Sequence, residues 1–261
     1  MPTFAISDPH GHSLQLRRAL ATIPLQDPST QLVLLGDYID RGPDSLGVLE
    51  LVRQALHDYP DQVTALAGNH DRWFLDWLDG DDDDLNWLMN DIDLSTVKSL
   101  LDPMALARAL GHEDPTSDAS SLDGPTMNHN IKAAVRARHG ELIAWMRALP
   151  LVHETTSHVF VHAGVDEEAG DLWRHGTPEH VFTEKFPATT GPMLIGKRIV
   201  AGHVGTALLH GRGRRGEPQT HGVFADEGHL YIDGSVETTG LLNVLRIDDD
   251  GAWSETAMGP G

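Results

Sequence analysis

Cysteine is absent from the 261 residues, which excludes disulfides, thiolate metal sites and cysteine nucleophiles. Long apolar runs are absent too, and no stretch approaches the roughly 20 residues of a membrane-spanning helix. The opening Met1-Pro2-Thr3-Phe4-Ala5-Ile6 lacks the charged start of a secretory leader and passes directly into a short apolar run. The expectation is a cytoplasmic protein without membrane association. Positive charge is scarce: 19 Lys and Arg stand against 39 Asp and Glu, for a formal net charge of -20. A surface this acidic repels nucleic-acid backbones and anionic membranes, so neither is expected as a partner. No internal repeat or proline-rich linker divides the chain. Its length suits one large domain, 1–261, able to bury a core without staples.

The apolar pattern gives the element order. Thr3 to Ser7, Leu32 to Leu35 and Val63 to Ala67 read as buried strands. Ser13 to Ile23 and Ser45 to Leu56 carry the 3.6-residue spacing of helices between them. This βαβαβ rhythm predicts a parallel sheet. From Arg72 to Ala148 the pattern is mainly helical, an insertion spanning about 72–149. Gly80-Asp81-Asp82-Asp83-Asp84 interrupts it and lacks the glycine and glutamate positions of an EF-hand, so it reads as a solvated loop before a helix. Four of the six tryptophans lie in this region and read as core anchors. Ser117 to Thr126 is expected to be a mobile loop, and Gly211 to Gly222 an exposed turn. Strands resume at Leu151 to His153, Val159 to His162, Lys197 to Ala201, Leu230 to Ile232 and Leu241 to Ile247.

Five short stretches carry hard oxygen or imidazole donors: Ser7-Asp8-Pro9-His10-Gly11, Gly36-Asp37-Tyr38-Ile39-Asp40-Arg41-Gly42, Gly68-Asn69-His70-Asp71, Val161-His162-Ala163-Gly164 and Gly202-His203. The first three follow predicted strands, where open α/β sheets place their sites. Asp8 and His10, one residue apart, can face one ion; Asp37 has two carboxylate oxygens that can bridge two. Asn69 offers a neutral carbonyl oxygen, and His162 and His203 offer imidazole nitrogens. Mixed oxygen and nitrogen ligation suits Mn²⁺, Fe or Zn²⁺ better than Ca²⁺. The remaining histidines, His12, His153, His158 and His221 among them, read as structural.

In this order the five stretches resemble the calcineurin-like metallophosphoesterases, in particular bacterial members of the phosphoprotein phosphatase family. Asn86-Trp87-Leu88-Met89-Asn90 followed by Thr96-Val97-Lys98-Ser99-Leu100, Trp145 to Pro150, and Tyr231-Ile232-Asp233-Gly234 extend the likeness over nearly the whole chain. The resemblance implies a four-layer αββα sandwich, two mixed sheets flanked by helices. It also implies two divalent cations, Mn²⁺ in first place with Fe or Zn²⁺ as alternatives. Asp8 and His10 would hold one, Asp37 would bridge, and Asn69, His162 and His203 would complete the other. A shared hydroxide would attack phosphorus in line, with no phosphorylated enzyme. His70 resembles the family's general acid, Asp40 the carboxylate that orients it, and Arg41 a fork for phosphate oxygens. Metals and arginines together would reverse the acidic potential within a small pocket.

One family feature is missing. Relatives carry a Trp-x-Arg segment between the fourth and fifth motifs, and counting back from Gly202-His203 places that slot near the uncharged Thr183. Arg174 and Lys185 are the candidate substitutes. The expected activity is a phosphomonoesterase of serine/threonine phosphatase type acting on a phosphoprotein or small phosphoester. The alternative is a diadenosine-tetraphosphatase-type phosphoanhydride hydrolase, whose first motif generally has Gln at the position of His10. A cyclic-nucleotide phosphodiesterase fits less well because position 205 is Gly. A non-catalytic metal-binding scaffold is the remaining class. The sequence leaves the oligomeric state open.

Overall fold

The computed structural model describes residues 1–112, 122–211 and 219–259. Strand β1 (Thr3–Ile6), helix α1 (Ser13–Thr22), β2 (Gln31–Leu34), α2 (Ser45–Asp58) and β3 (Val63–Ala65) form the expected alternation, with β1–β2 and β2–β3 parallel. The helical block follows: α3 (Asn69–Asp79), α4 (Asn86–Asn90), α5 (Ser95–Leu100), α6 (Pro103–Ala109) and α7 (Gly124–Arg147). Residues 117–121 of the loop expected at Ser117 to Thr126 lie outside the described set, and Gly124 to Thr126 are instead the first turn of α7, capped by Asp123.

Beyond the block come β4 (Val152–Glu154), β5 (His158–Val161), α8 (Trp173–Gly176), α9 (Glu179–Glu184), β6 (Arg198–Ala201), α10 (Thr206–Leu209), β7 (Phe224–Ala225), β8 (His229–Tyr231), α11 (Val236–Thr239), β9 (Leu242–Ile247) and β10 (Trp253–Met258). Most of the exposed turn expected at 211–222 also lies outside the described residues. Two five-stranded sheets result, in the orders β10-β9-β1-β2-β3 and β4-β5-β6-β8-β7. Both are mixed. β9 runs antiparallel to β1, in register Thr3↔Ile247 through Ile6↔Val244.

Strand alternation explains the layers. Phe4 and Ile6 of β1 pack with Leu32 and Leu34 against α1, α2 and the helical block. Ala5 and Val33 face the other way, onto Phe160, Val200 and Leu230 of the second sheet. The outer face of that sheet, Val161, Ile199 and Tyr231, is covered by Trp173 and Phe182. Helices, sheet, sheet and helices make the αββα sandwich, and the loops after β1, β2, β3, β5 and β6 meet along one edge.

The helical block departs from expectation in two places. Trp77 and Trp87 are core residues, packed against each other at 4.5 Å and against Phe74. Trp73 is instead 42% exposed: both it and Trp77 border a cavity, but Trp77 is covered by Phe74 and Trp87, whereas Trp73 lies one turn beyond His70 with its ring against that histidine. The acidic loop before α4 is not merely solvated. Buried Lys132 of α7 donates to the Gly80 and Asp81 carbonyls, and Asn128 donates to those of Asp82 and Asp84. Two fully buried side chains thus hold the loop's backbone, and the Asp82 carboxylate pairs with Lys132 and His129.

Candidate metal centre

Each expected ligand sits where a strand ends. Asp8 follows β1, Asp37 follows β2, Asn69 opens α3 after β3, His162 follows β5 and His203 follows β6. The turns are tight. Asp8, His10, Asp37, Asp40, Arg41 and His203 all have φ between 38° and 66°, a left-handed region that costs non-glycine residues roughly 1–3 kcal/mol each. Concentration of such residues at one edge of the fold marks a site that the surrounding structure forces into place. Gly68 completes the packing, since a Cβ there would collide with the Asp37 carboxylate. Gly36, at φ 99°, turns the chain ahead of Asp37.

Six side chains converge. His10 Nε2 lies 3.5 Å from Asp37 Oδ2 and 3.9 Å from Asp8 Oδ1. His162 Nε2 lies 3.4 Å from Asp37 Oδ2. Asn69 Oδ1 is 2.9 Å from both His162 Nε2 and His203 Nδ1. Among the described residues two clusters of His and carboxylate atoms could hold an ion, His10 with Asp37 and His70, and Asp37 with His162 and His203; Asp37 belongs to both, while Asp8 lies just outside the first. His10 Nδ1 donates to the Ile39 carbonyl and His162 Nδ1 to the Leu35 carbonyl, each at 2.8 Å. These bonds fix the rings and turn both Nε2 atoms inward, as the outer partners of metal-ligating histidines do.

The donor set fits divalent cations. Ligands held about 2.1 Å from one cation lie about 3 Å apart at right angles, comparable to the spacing around Asn69 and Asp37. Buried carboxylates also need compensating charge. Burial raises the Asp8 pKa to about 6, with nearby Asp37 adding to the effect. Burial lowers His10 to about 3 and, with the adjacent charge of His162, lowers His203 to about 4, so both rings are neutral. His162 is the exception: burial opposes its charge, but Asp37, Asp8 and the Leu35 carbonyl outweigh it and raise the pKa to about 10. A cation at this position would displace that proton.

Beside this centre His70 Nδ1 lies 2.7 Å from Asp40 Oδ2, leaving Nε2 facing the cavity and Arg41 Nη2 at 3.1 Å. Burial favours the neutral ring of His70, yet Asp37 and the hydrogen bond to Asp40 outweigh it and raise the pKa. Asp40 is itself held from the helical block. Thr96 Oγ1 donates to Asp40 Oδ1 at 2.8 Å and Trp87 Nε1 approaches Oδ2 at 3.3 Å. Asp91 in turn accepts from the backbone of Thr96 and Val97. Arg41 is 40% exposed and its Nη1 pairs with Glu237 Oε1 at 3.3 Å.

Two expected contacts are elsewhere. The Arg174 guanidinium is paired with Glu154 through Nε at 2.7 Å and through Nη2, and it lies over Trp173. The Lys185 amine donates to the Val165 carbonyl and pairs with Glu167 at 3.2 Å. Both charges are neutralised within the second sheet's helical layer, so neither is presented to the centre. Thr183, at the slot itself, is fully buried.

Two residues that organise the centre were not assigned from sequence. Asp71 accepts from the backbone N–H groups of Asp37, Tyr38 and Gly68 at 2.9–3.0 Å, tying the loops after β2 and β3 together. Burial and Asp37 raise its pKa to about 7. Asp233 is buried near Asp8 and accepts from Ser235 N–H at 2.7 Å. The signal for both was present, since each lies inside a motif quoted for the family resemblance. Motif membership did not show which way the carboxylate pointed.

The sequence profile described as calcineurin-like phosphoesterase matches residues 1–205. A symmetrical bis(5′-nucleosyl)-tetraphosphatase of Methylococcus capsulatus is 32% identical over 165 residues, 63% of this chain and 44% of that protein. Serine/threonine-protein phosphatase 1 of Salmonella typhimurium is 38% identical over 87 residues, 33% of this chain and 37% of that protein. The aligned stretches thus span less than half of either relative's length. A solved structure provisionally assigned as a diadenosine tetraphosphatase superposes with a TM-score of 0.57 at 17% identity, over 100% of this chain and 95% of that one, a likeness of fold. No helix among the described residues is long and apolar enough to cross a membrane. With its profile match, its two mixed sheets and its converging donors, the chain belongs to the calcineurin-like phosphoesterase family.

Proposed function

We propose that the protein is a metal-dependent phosphomonoester hydrolase of serine/threonine phosphatase type. The observation that carries this reading is the His70–Asp40 pair at 2.7 Å, set beside two donor groups that share Asp37. Asp8, His10 and Asp37 would hold one divalent cation and Asp37, Asn69, His162 and His203 a second, with Mn²⁺ suited by the carboxylate and carbonyl oxygens and Fe or Zn²⁺ by the imidazoles. The pair would supply Lewis-acid polarisation of the phosphoryl oxygens and the charge that activates water.

The chain's own residues supply orientation and the proton. Arg41, steadied by Glu237, presents its guanidinium beside His70 for the non-bridging phosphate oxygens. Asp40, fixed by Thr96 and Trp87, keeps His70 Nδ1–H engaged and Nε2 toward the leaving oxygen. Water attacks phosphorus and loses a proton to solvent, the P–O bond to the leaving group breaks, and His70 Nε2–H protonates the departing alkoxide, the ring regaining its proton from solvent. A raised His70 pKa keeps the acid form available.

Turnover of p-nitrophenyl phosphate with Mn²⁺, abolished by chelator and restored by metal, is the expected result. Protein loaded in turn with Mn²⁺, Fe and Zn²⁺ that hydrolyses no phosphoester would defeat the reading. A second reading, hydrolysis of dinucleoside polyphosphates, is favoured by the longer match to the tetraphosphatase. A panel of phosphopeptides and dinucleoside polyphosphates separates the two.

A further inference from the structure

A cavity of about 710 Å³ runs from the centre along α3 to the acidic loop before α4. Its inner end is Asp37, Asn69, His203, His70 and Arg41; its outer end is Trp73, Asp76, Asp84, Asn86 and Asn90. We infer that this outer end receives the leaving group, and that it selects a phosphomonoester whose leaving alcohol carries a positive charge. The inference rests on the hydrolase reading of the centre and names the substrate class for that site.

Trp73 is the first contact beyond the general acid. Its ring centroid lies 5.0 Å from that of His70, and it is 42% exposed where the other tryptophans of the cavity wall are buried. Trp73 Nε1 donates to Glu184 Oε1 at 3.0 Å, which fixes the ring and adds electron density to a face that attracts cations. Asp76 follows three residues later on α3, about 9 Å along the helix axis from His70 at 1.5 Å per residue. Asp84 lines the same cavity from the loop whose carbonyls Lys132 and Asn128 hold, and its carboxylate accepts from Asn86 N–H.

The charge balance of this outer end is one-sided. The neighbouring cations are already engaged: Arg72 with Glu179, Arg147 with Asp79, Lys132 with the loop carbonyls and Asp82, and Arg41 with Glu237. Asp76 and Asp84 have no ion-pair partner among the described residues. A polyphosphate leaving group would bring further negative charge against them. A lysine or arginine beside a phosphoserine, or an aminoalkyl chain, would instead place its cation over Trp73 between two carboxylates, with electrostatic steering toward the mouth.

The test compares two phosphoserine peptides that differ only in Lys or Glu at the adjacent position, together with aminoethyl phosphate against ethyl phosphate, and a dinucleoside tetraphosphate. In the Mn²⁺-loaded protein at low salt, kcat/KM for the Lys peptide should exceed that for the Glu peptide by at least about fivefold, falling as salt rises. The ratio should approach one in the Asp76→Asn/Asp84→Asn double variant, taken within each protein so that any general loss cancels. A preference confined to aminoethyl phosphate identifies a small substrate; one confined to the peptides identifies a protein substrate. A ratio near one in the wild type, an unchanged ratio in the double variant, or faster turnover of the tetraphosphate than of any monoester overturns the inference. If no phosphoester is turned over, the hydrolase reading falls on its own. Calorimetric binding of the same peptide pair then decides the cleft's charge preference separately.

Discussion

Two clusters in this molecule bring histidines together with carboxylates and end in different states. In the second sheet, His229 lies between Asp226 at 2.9 Å and Glu167 at 3.0 Å, and Lys185 completes the group against Glu167 at 3.2 Å. Each charge there meets its opposite, and the network is closed. At the candidate metal centre Asp8, Asp37, His10 and His162 are more deeply buried, the ring nitrogens turn inward, and among the described residues His162 pairs with Asp37 but no lysine or arginine ion pair reaches Asp8 or Asp37. The first arrangement is what a fold does with buried charge when it needs only stability. The second gathers more buried carboxylate and imidazole donors than it pairs, which is what the proposed cation binding would answer.

The sharpest way to break this contrast is at Asp37. Asp37→Asn removes the carboxylate common to both donor groups and should lower metal content, read by elemental analysis, together with kcat by more than about 100-fold, beyond the usual loss for an outer-shell partner. An unchanged metal content would show that the convergence seen here does not hold ions. His70→Ala should separate the centre from the acid beside it. Turnover of an alkyl phosphate should fall about 10²–10⁴-fold, that of p-nitrophenyl phosphate much less, and metal content should stay near normal. Equal losses on both substrates would count against the proton-donor role.

The closed network predicts a stability effect instead. Removing His229 as His229→Gln leaves two carboxylates and one lysine, and should cost roughly 3 kcal/mol in denaturant unfolding while metal content is retained. The pH dependence has a definite sign. Burial opposes the His229 charge, but its bonds to Glu167 and Asp226 outweigh burial and raise the folded pKa above 6.5. The stabilisation is therefore complete below the unfolded pKa near 6.5 and is lost as pH rises through the raised folded value. Glu167 and Asp226 have folded pKa values depressed by the same contacts against an opposing burial effect. Their share is present above the unfolded carboxylate pKa and lost as pH falls through the depressed one. A wild-type stability that declines from pH 6 to 9, with a flatter slope in His229→Gln, is expected. Parallel slopes in the two proteins would remove His229 from the account. The smallest effect should come from Arg174→Ala, whose exposed pair with Glu154 lies away from the centre: kcat/KM within about twofold of wild type. A tenfold loss would show that Arg174 reaches the phosphate during turnover.

How far these properties were legible follows from how local their causes are. The β1–α1–β2–α2–β3 order could be read because each element carries its own apolar period, and the converging donors because each sits at the end of a strand within a short motif. Strand β9 was visible as a strand, but its place beside β1 was not. A run from 242 to 247 pairs with residues 3 to 6 through hydrogen bonds that any extended chain can offer. Strand β10, with five exposed residues and one intermediate, has no apolar alternation to announce it. Trp73 and Trp77 look alike in sequence and both border the cavity, and they differ because Phe74 and Trp87 cover Trp77 while Trp73 stays 42% exposed.

The sequence by itself determined the chemistry available: hard donors after successive strands, an acid–carboxylate pair, one arginine beside them, no thiol, and a strongly negative surface. Those are matters of residue type and short spacing, which no packing can change. The tertiary structure alone decided which charges were free to act. Arg174 and Lys185 were as basic as Arg41 on paper, and their partners Glu154 and Glu167 lie 20 and 18 residues away. Asp40 is fixed beside His70 because Thr96, 56 residues on, donates to it. Charges are neutralised by whatever lies within about 4 Å in space, and that neighbourhood is set by the packing of the whole chain.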